Sequence, residues 1–335
     1  MNTVAEGWGA LNAEGRTETG WHLRQIYPHA PCELLAGLRQ PGSTPGLILE
    51  ASVDHVPAGV ALPRANGFAV DPTLLGGGLD PRVRFALTLT DRSYAAVFAV
   101  LCEDVAAAAA AAGSGRDALR AWFGRLHVWQ AFMAKHGAAG LSESAVIGLI
   151  GELLVLQNTI FPQAGTRAGL AMWVGPAEEP NDFTLPNGFV EVKTTSRQFP
   201  QSLEIANTVQ LDDSRGTILV VHVHLRPDPN GLSLPQLVAT VRSTIVRDAA
   251  DRVAEFEGLL MAAGYVDAQA DLYTASYSHH RTDMYRVSGD FPRIRHAELR
   301  PGIRACRYVI DLDACSPYLV EPAVLTEMIG DLNID

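Results

Sequence analysis

Hydrophobic and polar positions change their spacing twice along the chain. Up to about residue 100, short apolar runs such as Gly46–Val53 and Arg82–Leu89 are separated by proline- and glycine-rich segments. That alternation predicts a β-rich region over 1–100. Gly76-Gly77-Gly78 reads as a turn, because no Lys-Ser/Thr follows it to complete a phosphate cradle. From Ser93 the pattern becomes helical and runs through Ala106–Ala112 to the break at Gly113-Ser114-Gly115. A second helix, over Asp117–Lys135, carries Trp122, Phe123, Trp129 and Phe132 at spacings that suit a buried face. These helices predict a connector over 101–140, punctuated by Gly137 and Gly140.

Beyond Gly140 the order is long helix, loop, hairpin, strand. Ser142–Ile160 is apolar nearly all the way round, as expected of a helix inside the molecule, and Glu152 is its only charge between Glu143 and Arg167. Asp182 to Lys193 then alternates about Asn187-Gly188, a strong signal for a two-residue turn. That turn would set Thr184 against Glu191 and Asp182 against Lys193. Alternation places Asp182, Thr184, Glu191 and Lys193 on one face, with Phe183, Leu185, Val190 and Val192 on the other. Pro235–Gly264 reads as one long helix, and Arg307–Leu312 as a strand. The expected class is α/β (α+β), with a core over 141–230 and an α+β extension over 231–335.

Composition narrows the function. Hydrophobic residues make up 47% of 335, enough for a substantial core. Glu103, Asp104 and Glu152 interrupt the most apolar stretches, so no membrane span is expected and the cytoplasm is the expected location. Cys32, Cys102, Cys306 and Cys315 have no zinc-knuckle spacing and read as reduced thiols. A net charge of −11 argues against a protein that coats nucleic acid nonspecifically, although it leaves room for a local basic surface. Only Lys135 and Lys193 are lysine, against 24 arginines among the 26 basic residues.

The carboxylates carry the chemistry. A buried unpaired Glu152 is expensive and needs a cation, a hydrogen-bond network or a raised pKa. Asp182 and Glu191 converge with Lys193, and two carboxylates plus a main-chain oxygen suit Mg²⁺, with Mn²⁺ as a substitute. In this reading Asp182, Glu191 and the backbone carbonyl of Val192 ligate the ion. Glu152 holds a metal-bound water or a second ion, and Lys193 orients the nucleophile and balances charge on the phosphorane. The catalytic set is therefore Glu152, Asp182, Glu191 and Lys193.

Gly151-Glu152-Leu153, Asn181-Asp182-Phe183 and Val190-Glu191-Val192-Lys193-Thr194-Thr195 together resemble the PD-(D/E)XK nuclease pattern, in the same order of helix with Glu, strand with Asp and strand with ExK. Asn181 stands where the pattern has proline. Trp8, Val209-Gln210-Leu211 and Tyr308-Val-Ile-Asp-Leu312 extend the likeness to a prokaryotic family of PD-(D/E)XK proteins encoded beside phage-defence and restriction genes. The resemblance implies a restriction-endonuclease-like core, DNA as substrate and a role in defence. It also implies other defence proteins as partners, such as an ATPase or a methyltransferase. A homodimer is one expected assembly. The alternative is a noncatalytic DNA-binding or assembly subunit with a nuclease-like fold.

Outside this constellation, Arg281 to Arg307 holds seven arginines and forms the one clearly basic stretch. Arg281, Arg286, Arg293 and Arg295 are candidates for phosphate contact, as are Arg197 and Gln210 after the ExK strand. His222 and His224 share a strand face and could bind a metal. With no third ligand readable nearby, they read as ordinary strand residues. No Walker loop, Rossmann fingerprint or G-x-S-x-G elbow appears.

Overall fold

The computed structural model describes residues 3–57, 59, 61–76, 81–177, 179–196 and 202–330. Two compact units divide the chain, Met1–Gly140 and Leu141–Asp335.

The first unit comprises α1 (Val4–Glu14), strands β1 (Gly20–Ile26), β2 (Glu33–Gln40), β3 (Thr44–Ser52), β4 (Arg64–Ala65), β5 (Phe68–Leu75) and β6 (Arg82–Leu89), then α2 (Ala95–Ala110) and α3 (Gly115–Lys135). Among the described residues the strands form one antiparallel sheet in the order β1-β2-β3-β6-β5-β4. Helix α1 is an element that the expected β-rich start did not include. Its signal was local: Thr3 and Glu6 form a reciprocal capping box that satisfies two orphan N–H groups. The expected aromatic face of α3 is buried, with Trp122, Phe123, Trp129 and Phe132 all in the core. One acid also lies inside this sheet. Glu50 on β3 receives two hydrogen bonds from Arg84, at 2.8 and 2.6 Å, with Arg82 3.8 Å away.

The second unit contains α4 (Glu143–Val155), α5 (Phe161–Ala164), α6 (Thr166–Met172), β7 (Phe183–Leu185), β8 (Gly188–Thr195), β9 (Ser202–Ile205), β10 (Ile218–Ser233), α7 (Leu234–Asp248), α8 (Val253–Ala263), β11 (Ser276–Val287), β12 (Tyr308–Asp311), α9 (Leu312–Cys315), β13 (Leu319–Val320) and α10 (Ala323–Ile329). The class is α+β, with a mixed sheet ordered β13-β11-β10-β8-β7 in which only β10 and β8 run parallel. The boundary expected at 230 runs through β10, and β11 and β13 complete the central sheet.

The sheet is covered on both faces. Val190, Val192, Leu219, Val221 and Val223 pack with Val146, Ile150 and Leu153 of α4 and with Leu237, Val238 and Val241 of α7. On the other face Ile218, Val220, Tyr285 and Val287 meet Leu203, Ile205 and Ile310 from the β9–β12 pair. Two helical stretches, Arg92–Ala110 and Glu143–Ala164, are long and apolar enough to cross a membrane by length and composition. Each nevertheless buries a row of side chains within its own unit: Phe98, Leu101 and Val105 on the first, Val146, Ile150 and Leu153 on the second.

Two local expectations are corrected. The single helix expected over Pro235–Gly264 is two helices, α7 and α8. Ala249 leaves helical geometry at φ −153° and a short 3₁₀ turn, Ala250–Arg252, intervenes. The hairpin turn is Pro186-Asn187 rather than Asn187-Gly188, since Leu185 pairs with Gly188 and Phe183 with Val190. Gly188 is needed for close approach instead. A Cβ there would sit 2.3 Å from the Thr217 carbonyl oxygen. The register moves by two residues, an even shift, so every side chain keeps its expected face.

Candidate functional site

Helix α4 reaches the sheet through a glycine. A Cβ on Gly151 would lie 1.8 Å from Thr194 Oγ1, so only glycine lets the helix seat against β8 at this point. The next residue, Glu152, is thereby held over the ExK strand. Its carboxylate accepts a 2.8 Å hydrogen bond from Trp173 Nε1. Trp173 is fixed in turn by a bridge to Phe183 at the start of β7.

Asp182 precedes β7 by one residue, where the antiparallel ladder stops. Its Oδ2 accepts the Val192 N–H at 2.6 Å and so extends the ladder with a side chain. In an extended strand a residue's N–H and C=O point to the same edge, so the Val192 carbonyl also faces Asp182 rather than β10. Gly175 closes over the same carboxylate, because a Cβ there would be 2.8 Å from Asp182 Oδ1. Both Val174 and Gly175 donate their N–H groups to the Asp182 carbonyl.

Glu191 is 2% exposed. Lys193 Nζ lies 2.8 Å from its Oε1, and Gln210 Nε2 donates to the same oxygen at 2.7 Å. Asn181 Nδ2 donates to Oε2 at 3.3 Å and to the Gln210 carbonyl at 2.7 Å. The Gln210 Oε1 accepts from the Ala206 N–H and from Lys193. Glutamine and asparagine thus form a polar frame around the glutamate–lysine pair.

Three carboxylates share one lysine, and their proton affinities show the deficit. Burial raises Asp182 to about 6, against the Val192 hydrogen bond and the Lys193 charge. Burial and then Asp182 raise Glu191 to about 8. Burial and then Asp182 also hold Glu152 well above the ordinary carboxyl range. Oxygen donors with uncompensated negative charge are what a hard divalent cation requires, so the residues fit Mg²⁺ or Mn²⁺. Asp182, Glu191, the Val192 carbonyl and Glu152 are the groups available to hold it.

The structure brings all four expected acidic and basic residues to one place. Gln210 also joins them, inside the centre and not as the expected groove contact. The arginines divide. Arg293 is only 6% exposed at its side chain and is bound to Asp213 at 2.9 Å, so it is a buried structural pair rather than a phosphate contact. Arg295 is committed to Glu298 and Arg281 to Asp283. Arg286 is exposed but pairs with Leu219, on the face of the sheet opposite Lys193. Arg197 lies outside the described residues. Sequence reasoning did not assign Trp173 or Asn181 to the site. Asn181 had a usable signal, since it occupies the proline position beside the aspartate.

The family profile described as "Putative PD-(D/E)XK family member" (DUF4420) matches residues 4–313. No curated protein and no solved structure matches the chain. The helix glutamate, the aspartate ahead of the hairpin and the ExK strand occupy one buried centre within the matched span, and the chain belongs to this PD-(D/E)XK family.

Proposed function

We propose that this chain is a Mg²⁺- or Mn²⁺-dependent nuclease that hydrolyses phosphodiester bonds in DNA. The observation that carries the reading is the gathering of Glu152, Asp182 and Glu191 around the single amine of Lys193. Asp182, Glu191 and the Val192 carbonyl would hold the ion. When bound, it polarises a phosphate oxygen and lowers the pKa of a water molecule.

The remaining work falls to the chain's own groups. Lys193, largely buried at the head of the cleft, presents its ammonium where negative charge grows on the phosphoryl oxygens. The Gln210 side chain aims that ammonium, because its Oε1 is anchored by the Ala206 N–H. Glu152, raised by burial, is suited to hold a proton or a water on the helix side. A cleft of about 750 Å³ runs from Lys193 past Thr195, Ser196, Ser202 and His222, with hydroxyl groups able to meet a phosphate backbone. The same reading places the activity in the cytoplasm, in defence against foreign DNA, alongside partner proteins that supply ATP hydrolysis or methylation.

The test is cleavage of plasmid and phage DNA in Mn²⁺ by the wild type and by Lys193→Ala. Cutting that the variant loses supports the assignment. Equal cutting by both overturns it, and binding without cutting by folded wild type favours a noncatalytic subunit.

A further inference from the structure

A row of side chains crosses three strands beside the carboxylate centre. In register, Lys193 on β8 neighbours His222 on β10, which neighbours Asp283 on β11. Paired residues share a face, so all three project to the side away from α4. His224, two residues along β10, joins the row, and its ring centroid lies 3.9 Å from that of His222. The sequence displayed the two histidines without a third ligand. The fold supplies it, from a strand some 60 residues away.

Three observations mark this cluster as unfinished. His222 is 1% exposed, yet neither of its ring nitrogens has a hydrogen-bond partner. His224 Nε2 approaches Asp283 Oδ2 to 2.8 Å but is not aligned with it as a hydrogen bond. One donor atom from each of His222, His224 and Asp283 lies within 4.8 Å of the others. Buried imidazoles without partners are costly, and native proteins seldom leave them so. Two donors on one tetrahedral ion, with bonds of about 2.0–2.1 Å, stand roughly 3.3 Å apart, so small side-chain movements would close the set.

We infer that His222, His224 and Asp283 form a second metal site, selective for a zinc-class divalent ion and separate from the carboxylate centre. Two imidazoles and one carboxylate suit late first-row ions, whereas Mg²⁺ prefers oxygen alone. Burial, together with the Arg281 charge, lowers the proton affinity of both rings and keeps them in the neutral form that ligates. Three protein ligands leave a fourth position open, as in zinc sites that exchange a ligand. His222 lines the same cleft as Lys193, and an anionic oxygen that enters the cleft, such as one from phosphate, would be the class of ligand to complete the set. Arg281 is 57% exposed at its side chain and 3.1 Å from Asp283, which lets it orient the carboxylate from outside and swing clear of the ion.

The site is tested with ZnCl₂ by calorimetry and metal analysis, followed by X-ray absorption on the loaded protein. Wild type, Asp182→Ala, His222→Leu and Asp283→Asn are compared, each checked for folding by circular dichroism. The wild type and Asp182→Ala should retain one zinc equivalent, with two imidazoles in the first coordination sphere. Losing an outer-sphere partner typically costs about 10–100-fold in affinity, so removing a direct ligand should cost at least about 100-fold. Asp283→Asn, at a partly exposed position, keeps the test valid if His222→Leu does not fold. Zinc lost in Asp182→Ala but kept in Asp283→Asn would overturn the proposal, as would folded wild type that binds none.

Discussion

Glu50 and Glu191 are both glutamates on strands inside a sheet, 6% and 2% exposed, and their surroundings are opposite. Arg84 grips Glu50 through two hydrogen bonds, and Arg82 stands behind. Its charge is matched twice over, and among the described residues the further carboxylate paired with this cluster is Glu33, through Arg82. Glu191 has one lysine, two amide donors and two further carboxylates competing for the same cation. A buried acid alone therefore says little about function. The balance of charge around it separates a structural ion pair from a centre that still lacks a cation.

The largest test of that contrast is catalytic. Lys193→Ala should lower the cleavage rate by about 10²–10³-fold, as loss of a charge-stabilising donor does, while Glu50→Gln should leave the rate of the remaining folded protein unchanged. Stability should move in opposite directions at the two positions. Breaking a buried pair costs about 3–5 kcal/mol, and because Arg84 and Arg82 are 25% and 38% exposed at their side chains, Glu50→Gln should fall at or below the lower end of that range. In contrast, Glu191→Gln should stabilise the metal-free protein by on the order of 1 kcal/mol, because it removes a charge that burial penalises. Equal destabilisation by both, measured in urea, would erase the distinction.

Acidity sharpens the comparison further. Asp182 and Glu191 are raised to about 6 and about 8, so the folded chain holds protons that the unfolded chain has released. Stability of the metal-free protein should fall as pH rises from the ordinary carboxyl range through 8, and the penalty is absent below that range. Mg²⁺ or Mn²⁺ should raise Tm more at pH 8 than at pH 5 and release protons on binding. Glu191→Gln should flatten both trends. The smallest effect belongs to Arg281, an exposed cation on β11 that pairs with Asp283. Arg281→Ala should weaken DNA binding several-fold and lower its salt slope by about 1.

Much of the centre was legible because it is local. Asp182, Glu191 and Lys193 lie within twelve residues, and a two-residue error in the turn left their faces intact because strand periodicity is two. Glu152 stood out as the one charge between Glu143 and Arg167 in an apolar stretch. What escaped depends on long-range packing. Asp283 reaches His222 only because β11 pairs with β10, and the arginines of 281–307 split between one buried pair, exposed pairs and both faces of the sheet. Gln210 was visible, but its role was not, since a loop residue's direction is set by the tertiary hydrogen bonds it finds.

Lysine scarcity has a practical consequence. Apart from the terminal amine, the chain carries two primary amines, one on exposed Lys135 and one on Lys193, whose side chain is 16% exposed in the cleft. Reductive methylation with ¹³C-formaldehyde would therefore yield a spectrum simple enough to assign by single substitution. One of its resonances would sit inside the carboxylate cluster and serve as a built-in NMR reporter, moving when a divalent ion enters while the Lys135 resonance stays still.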